Sequence, residues 1–199
     1  MPKVSIIIPV IRPVKAEKCC AAIYSNAGSW DYEVVMQDDR DRIGCPKMVK
    51  RLVEKSAGQM VCFLGDDTIP QPGFLKNALK AMEGLPDGWG LIGLNDGHQN
   101  GNKLATHWLA DKRLLPLLGG EFFHTGYYHT RCDRELTLRC QELGRYAWAR
   151  DAMIKHEHPA FSTGKVDEDY RRVYSEEYIG HDKRLFWVRS QNNWKTPGE

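Results

Sequence analysis

Phe63-Leu64-Gly65-Asp66-Asp67-Thr68-Ile69-Pro70 is a short apolar strand that ends abruptly in two adjacent carboxylates. In an α/β pattern the carboxyl end of a strand is where open sheets place their ligands, in the crevice beyond the strand tips. Two like charges at such a tip repel each other unless a cation or hydrogen-bond donors offset them. A divalent metal carrying a phosphate-bearing substrate is a common solution for a carboxylate pair. Aspartate is also a frequent turn former and helix cap, so the pair takes its meaning from what surrounds it.

Working outward, the run V-S-I-I-I-P from Val4 to Pro9 predicts a strand buried on both faces of a parallel sheet. Val14 to Ala27 predicts a helix, and Glu33 to Gln37 a second strand that also ends in acids, Asp38-Asp39. Pro46 to Ala57 predicts a helix with proline in its first turn, closed by Gly58. Gln59 to Leu64 is the third strand, Phe74 to Met82 a helix introduced by Pro70 and Pro72, and Trp89 to Leu94 a fourth strand. This alternation through residue 95 predicts a parallel sheet with crossover helices. Beyond it, residues 96–113 read as a long Gly- and Asn-rich loop. An aromatic segment follows from Phe122 to Tyr128, then a helix from about Asp133 to Leu143 that ends at Gly144, and a last strand from Ala152 to His156. From Asp167 onward the charged, aromatic chain predicts one or two surface helices.

At 199 residues, with 42% apolar and 27% charged residues, the chain has the composition of one ordinary globular domain. A net charge of +2 gives no general argument for nucleic-acid binding. The apolar stretch Val4 to Ile11 is broken by Pro9 and is too short for a membrane span or a signal-peptide core. No other segment approaches ~20 apolar residues, and the expectation is a soluble, cytoplasmic chain. The cysteines (Cys19, Cys20, Cys45, Cys62, Cys132, Cys140) contain no C-x-x-C pair, which predicts free thiols and argues against a zinc site.

Right-handed crossovers bring Pro9-Val10, Asp38-Asp39 and Asp66-Asp67 to the same edge of the sheet. Two acid pairs there favour a ligand site over two unrelated turns. A nucleotide lying across that edge would use an Asp after the second strand for its base or ribose, and the acids after the third for metal and pyrophosphate. His156 and His158, two apart at the end of the last strand, point to the same side and form a further candidate for metal or pyrophosphate. Trp108, Phe122, Phe123, Tyr127 and Tyr128 offer faces for sugar stacking or for core packing.

The order V-S-I-I-I-P-V, E-V-V-M-Q-D-D and A-G-Q-M-V-C-F-L-G-D-D-T-I-P-Q-P-G-F-L resembles the nucleotide-binding half of family 2 glycosyltransferases. The resemblance implies the GT-A fold, a Rossmann-like, mostly parallel sheet flanked by helices, and a nucleotide-diphosphate sugar as donor. Gly65-Asp66-Asp67 stands at the family's D-x-D-like motif, making Asp67 the metal ligand and giving Asp66 a metal or nucleotide-sugar contact, while Gly65 departs from the usual acid. Pro9, Asp38 and Asp39 would line the nucleoside pocket. In the second half, G-G-E-F-F-H-T-G-Y-Y-H-T-R-C-D-R-E-L-T-L-R-C-Q-E-L-G-R resembles the family's acceptor segment. Asp133 falls on the presumed catalytic base, Cys132 replaces the acid before it, and Glu135 falls on the acid after it. A histidine after the last strand completes the metal shell in many relatives, which implies His156 or His158 beside Asp67 and Asp66 around Mn2+ or Mg2+. Trp108, Tyr127 and Glu135 are the acceptor-side candidates.

The implied organisation is one GT-A domain over residues 1–199: a nucleotide-sugar half (1–95), an acceptor and catalytic half (96–166) and a helical tail (167–199). The implied activity is metal-dependent, inverting transfer of a sugar to an acceptor hydroxyl on an envelope glycan, a lipid, a small molecule or a modified DNA base. A nucleotidyltransferase and a catalytically inactive nucleotide-sugar-binding module are the alternatives, the second because Gly65 and Cys132 stand at two acid positions. The sugar, the nucleotide and the oligomeric state stay open.

Overall fold

The computed structural model describes residues 3–98, 103–161 and 164–196. Strands β1 (Val4–Val10), β2 (Tyr32–Asp38), β3 (Met60–Phe63), β4 (Thr68–Pro70), β5 (Leu91–Asn95), β6 (Trp108–Asp111) and β7 (Tyr146–His156) join in one sheet of order β2-β1-β3-β6-β5-β7-β4. β1 pairs in parallel with both β2 and β3, and β5 in parallel with β7. β6 runs antiparallel between β3 and β5, and β4 antiparallel along the end of β7. Strands β2, β1, β3, β5 and β7 therefore share one direction, which gives the mostly parallel α/β sheet expected. Helices α1 (Pro13–Asn26), α2 (Cys45–Lys55), α3 (Phe74–Glu83), α4 (Cys132–Glu142), α5 (Glu168–Val173) and α6 (Glu176–Gln191) complete the chain.

The period of two in the central strands builds two cores, one on each face. Val4, Ile6 and Ile8 of β1, with Met60 and Cys62 of β3, pack with Ile23 of α1 and Phe74, Leu75 and Ala78 of α3. Ile7, Val61 and Phe63 point the other way, against Val49 and Leu52 of α2, Leu136 of α4 and Trp108. The continuous β-branched run of β1 is buried on both sides for this reason.

Three parts of the chain depart from the sequence reading. The stretch 96–113 contains β6, whose Trp-Leu-Ala-Asp is too short to show a period, and residues 99–102 lie outside the described residues. β4 follows directly on the Asp66-Asp67 turn. β7 begins at Tyr146, well before Ala152, because its first half pairs with β5 and its last residues pair with β4 across an irregularity after Leu94.

The tail is more than a surface element. The Glu135 carboxylate of α4 is nearly inaccessible, at 3% exposure, and receives Arg189 of α6 through Nε and Nη2, both at 2.9 Å. Tyr127 donates to the same carboxylate at 2.7 Å, and Arg139 at 3.3 Å. Removing one partner of a buried pair leaves an uncompensated charge and costs about 3–5 kcal/mol. Glu135→Ala is expected to lower the calorimetric Tm by on the order of 10 °C for a chain of this size. The double change Glu135→Leu with Arg189→Met should recover most of that loss, and an unchanged Tm in Glu135→Ala would remove the pair as the tail's anchor.

Candidate functional site

The tips of β1 and β3 are tied together by Asp66. Its Oδ2 accepts from the backbone N–H of Ile11 (2.8 Å) and of Arg12 (2.7 Å), and its Oδ1 lies 3.2 Å from Arg12 Nη1. The carboxylate thus fixes the turn that carries β1 into α1. Burial and the neighbouring Asp67 push its pKa up, against the two backbone donors and the Arg12 charge.

Asp67 faces a different environment. It occupies the turn between β3 and β4, closed by Thr68 N–H and hydroxyl donating to the Gly65 carbonyl. The antiparallel register Thr68↔His156 then sets the end of β7 beside it. Asp67 Oδ1 lies 3.4 Å from His156 Nε2, and Oδ2 lies 4.0 Å from Arg12 Nη1. Burial disfavours its charge, but His156, Arg12 and His107 hold the pKa well below the usual carboxylate range.

Asp96 follows β5 and His107 precedes β6, so adjacent strand ends carry them to the same place as His156. Ligand atoms of Asp96, His107 and His156 lie within 4.8 Å of one another, a grouping a metal ion fits. His156 Nδ1 is 3.9 Å from Asp96 Oδ2, which places its ring between two carboxylates. Burial alone would lower its pKa; the facing carboxylates of Asp67 and Asp96 overcome this and raise it to about 9. His107 goes the other way, down to about 3, through burial and the His156 charge. Gly65 belongs to this arrangement. A Cβ at that position would sit 3.0 Å from Asp67 Oδ1 and 3.2 Å from His107 Nε2, so a side chain there would crowd both groups.

Gly65, Asp66, Asp67, His107 and His156 form one end of a cleft of about 640 Å³, with Asp96 behind them. Pro9, Ile11, Asp39 and Cys45 line it from the β1 and β2 side, and Asp133 and Arg134 from the start of α4. His158, Tyr170 and Tyr174 add an aromatic wall, with His158 Nε2 3.0 Å from the Tyr174 hydroxyl and the two tyrosine rings stacked at 4.5 Å. Burial and the His156 charge lower the His158 pKa to about 4. Asp133 Oδ1 accepts from Arg134 N–H at 2.8 Å, and burial raises its pKa.

The structure therefore brings Pro9, Asp39, Asp66, Asp67, Asp133, His156 and His158 to one cleft and sets the other predicted residues apart from it. Asp38 is exposed and pairs with Arg40 at 3.3 Å, while Asp39 is buried and accepts from Ile43 and Gly44 N–H at 2.8 and 3.0 Å. Trp108 is fully buried within β6, against Phe63, Phe122 and Phe123, and has no face for an acceptor. Tyr127 and Glu135 are likewise buried, joined to each other and to Arg189.

Asp96, His107 and Arg12 were not among the predicted residues. Asp96 carries the same signal as Asp38-Asp39 and Asp66-Asp67, an acid at a strand tip. His107 had none, since β6 was not legible. Arg12 bridges Asp66 and Asp167, the latter at 2.5 Å, across 155 positions of sequence. Among the described residues no helix is long and apolar enough to cross a membrane, and all six cysteines are free thiols.

No protein-family model matches the chain, and no curated protein matches it. Its fold is similar to that of a mannosyltransferase from Pyrobaculum calidifontis, solved in complex with GDP-Man and Mn2+, with a TM-score of 0.66 at 15% identity. The match covers 98% of this chain and 65% of that one, so the chain spans about two thirds of the neighbour's length. With the sheet order and the flanking helices, this likeness defines the chain's architecture as a GT-A-like fold.

Asp66 yields a direct check on the tie between strand tips. Hydrogen bonds to a charged group are worth about 1.5–3 kcal/mol each. Asp66→Ala is expected to lower the Tm by several degrees and to speed amide exchange at Ile11 and Arg12 more than at β3. Unaltered protection of those two amides would contradict the assignment.

Proposed function

We propose that this chain transfers a sugar from a nucleotide-diphosphate donor to an acceptor hydroxyl, with inversion at the anomeric carbon. The observation that carries this reading is that Asp67, His107, His156 and Asp133 line one cleft of a GT-A-like fold, with Asp96 grouped with the two histidines.

A divalent cation suits the cluster. His107 Nδ1 is buried with no hydrogen-bond partner among the described residues, and the donor set mixes imidazole with carboxylate. Nitrogen and oxygen donors together favour Mn2+ over Mg2+. Asp67, Asp96, His107 and His156 would hold the ion, and when bound it would supply positive charge to offset the negative charge growing on the departing diphosphate. Asp66 holds the β1 turn so that the cleft floor at Ile11 and Arg12 keeps its shape. Pro9 and Asp39 line the nucleoside pocket, and the His158, Tyr170 and Tyr174 rings wall the cleft and limit water. Asp133 takes the proton of the acceptor hydroxyl as that oxygen attacks the anomeric carbon and the bond to the diphosphate breaks. Its raised pKa brings it nearer the working pH at which a general base is most effective.

The neighbour's complex makes GDP-Man the first donor to screen, followed by other nucleotide sugars, with release of nucleoside diphosphate measured with and without Mn2+. Asp67→Ala is expected to cut metal-dependent release by at least ~100-fold, at the upper end of what loss of a metal-supporting group costs. Full activity in this variant would remove the metal assignment. Asp133→Asn should bind donor normally and lose transfer by about 10²–10⁴-fold, the range general-base catalysis supplies. Unchanged turnover would exclude it as the base. Donor binding that is indifferent to metal, with no release of diphosphate, would instead identify an inactive binding module.

A further inference from the structure

The cations that line the cleft fall into two groups. Arg12 is surrounded by Asp66, Asp67, Asp167 and Asp169, and Arg172 pairs with Asp169. Arg131 and Arg134, whose charges act on Asp133, and Lys183, which also lines the cleft, form no ion pair among the described residues. Arg134 instead lies over the Phe186 ring at 5.7 Å. Asp133 and the buried Asp182 are the acids beside them, and three cations against two carboxylates leave an excess of positive charge.

Arg131 is held there at a conformational cost. It is the residue before α4, with φ 72° and ψ −18°, and makes no capping hydrogen bond through its side chain. This left-handed conformation is disfavoured for a non-glycine residue, and such strain persists only where the surroundings over-determine it. The surroundings here are Asp182 of α6, whose fully buried carboxylate accepts from the N–H groups of Tyr128, His129 and Thr130 at 2.8, 2.9 and 2.7 Å. The Thr130 hydroxyl adds a fourth bond at 3.1 Å. One acid on the tail thus fixes the loop that presents Arg131 to the cleft.

We propose that the acceptor is a small hydroxyl compound bearing a phosphate, and that Arg131, Arg134 and Lys183 hold this phosphate beside Asp133. The proposal rests on the glycosyltransferase reading for the identity of the second substrate, not for the existence of the anion site. Two guanidinium groups and an ammonium match a doubly charged tetrahedral anion better than a single carboxylate.

The test uses the whole chain saturated with GDP and Mn2+, so that the donor end is filled. Calorimetric titration with glucose 6-phosphate is compared with glucose, and co-sedimentation with phosphatidylglycerol vesicles is compared with phosphatidylcholine vesicles. The phosphate-bearing ligand is expected to bind at least tenfold more tightly than its neutral counterpart. Arg131→Gly, which relieves the backbone strain and so keeps the fold, should remove most of that difference, as should Lys183→Gln. A preference seen with vesicles alone would assign the phosphate to a lipid headgroup.

Equal binding of phosphorylated and neutral ligands in both arms would overturn the proposal. So would a loss of GDP affinity in Arg131→Gly as large as its loss of glucose 6-phosphate affinity, because the cations would then serve the donor diphosphate. Failure of the wild-type chain to bind GDP at all would count against the glycosyltransferase reading. The titration repeated without nucleotide would still decide whether the anion site exists.

Discussion

Two consecutive carboxylates buried at one strand tip repel each other at close range, and poor solvation makes that repulsion larger than it would be in water. Asp66 and Asp67 resolve it in different ways. Asp66 is neutralised by fixed donors, the N–H groups of Ile11 and Arg12, and becomes part of the scaffold. Asp67 turns toward His156 and the edge of the Arg12 guanidinium, partners that come from side chains alone. Arg12 stands between the two acids and also reaches Asp167 on the tail, so the same charge balance orders the β1 turn, the β3 tip and the approach to α5.

Gly65 follows from this arrangement. An acid at that position would have to occupy space already held by the Asp67 carboxylate and the His107 ring. In our functional reading, the donors that such an acid would have supplied come from neighbouring strand ends, Asp96 after β5 and His107 before β6. The substitution that seemed to weaken the motif is then the condition for a more compact cluster of mixed donors.

The central strands and helices were legible because each carries a strong local period, and the acids at strand tips were legible because parallel crossovers place all such tips on one edge. What was missed depends on contacts distant in sequence. β4 and β6 have three and four residues and become strands only through β7, β3 and β5. His107 is invisible as a site residue without β6. Trp108 reads equally well as a sugar platform or a core residue until β6 closes both of its faces. Glu135 looks like a first-turn acid of α4, and only Arg189, 54 positions later, shows why it is buried. Asp38 and Asp39 are neighbours in sequence, but the turn after β2 sends one outward and folds the other onto the amides of Ile43 and Gly44.

The cleft is consequently asymmetric in charge. At the Asp67 end the carboxylates of Asp66, Asp67, Asp96, Asp167 and Asp169 outnumber Arg12, Arg172 and His156, so an anionic donor has little attraction to that end until a metal adds positive charge. At the Asp133 end the cations outnumber Asp133 and Asp182, and in our proposal they attract an anion without help. Screening reduces such attraction beyond about 8 Å at physiological salt, which is short enough to keep the two ends distinct within one cleft. The same cations also act on the base. Arg131 and Arg134 oppose the effect of burial on Asp133 and lower its proton affinity. A phosphate seated between them would cancel that influence, and the carboxylate would become a stronger base as the acceptor arrives. Binding of the acceptor and readiness to deprotonate it would then be two consequences of one charge.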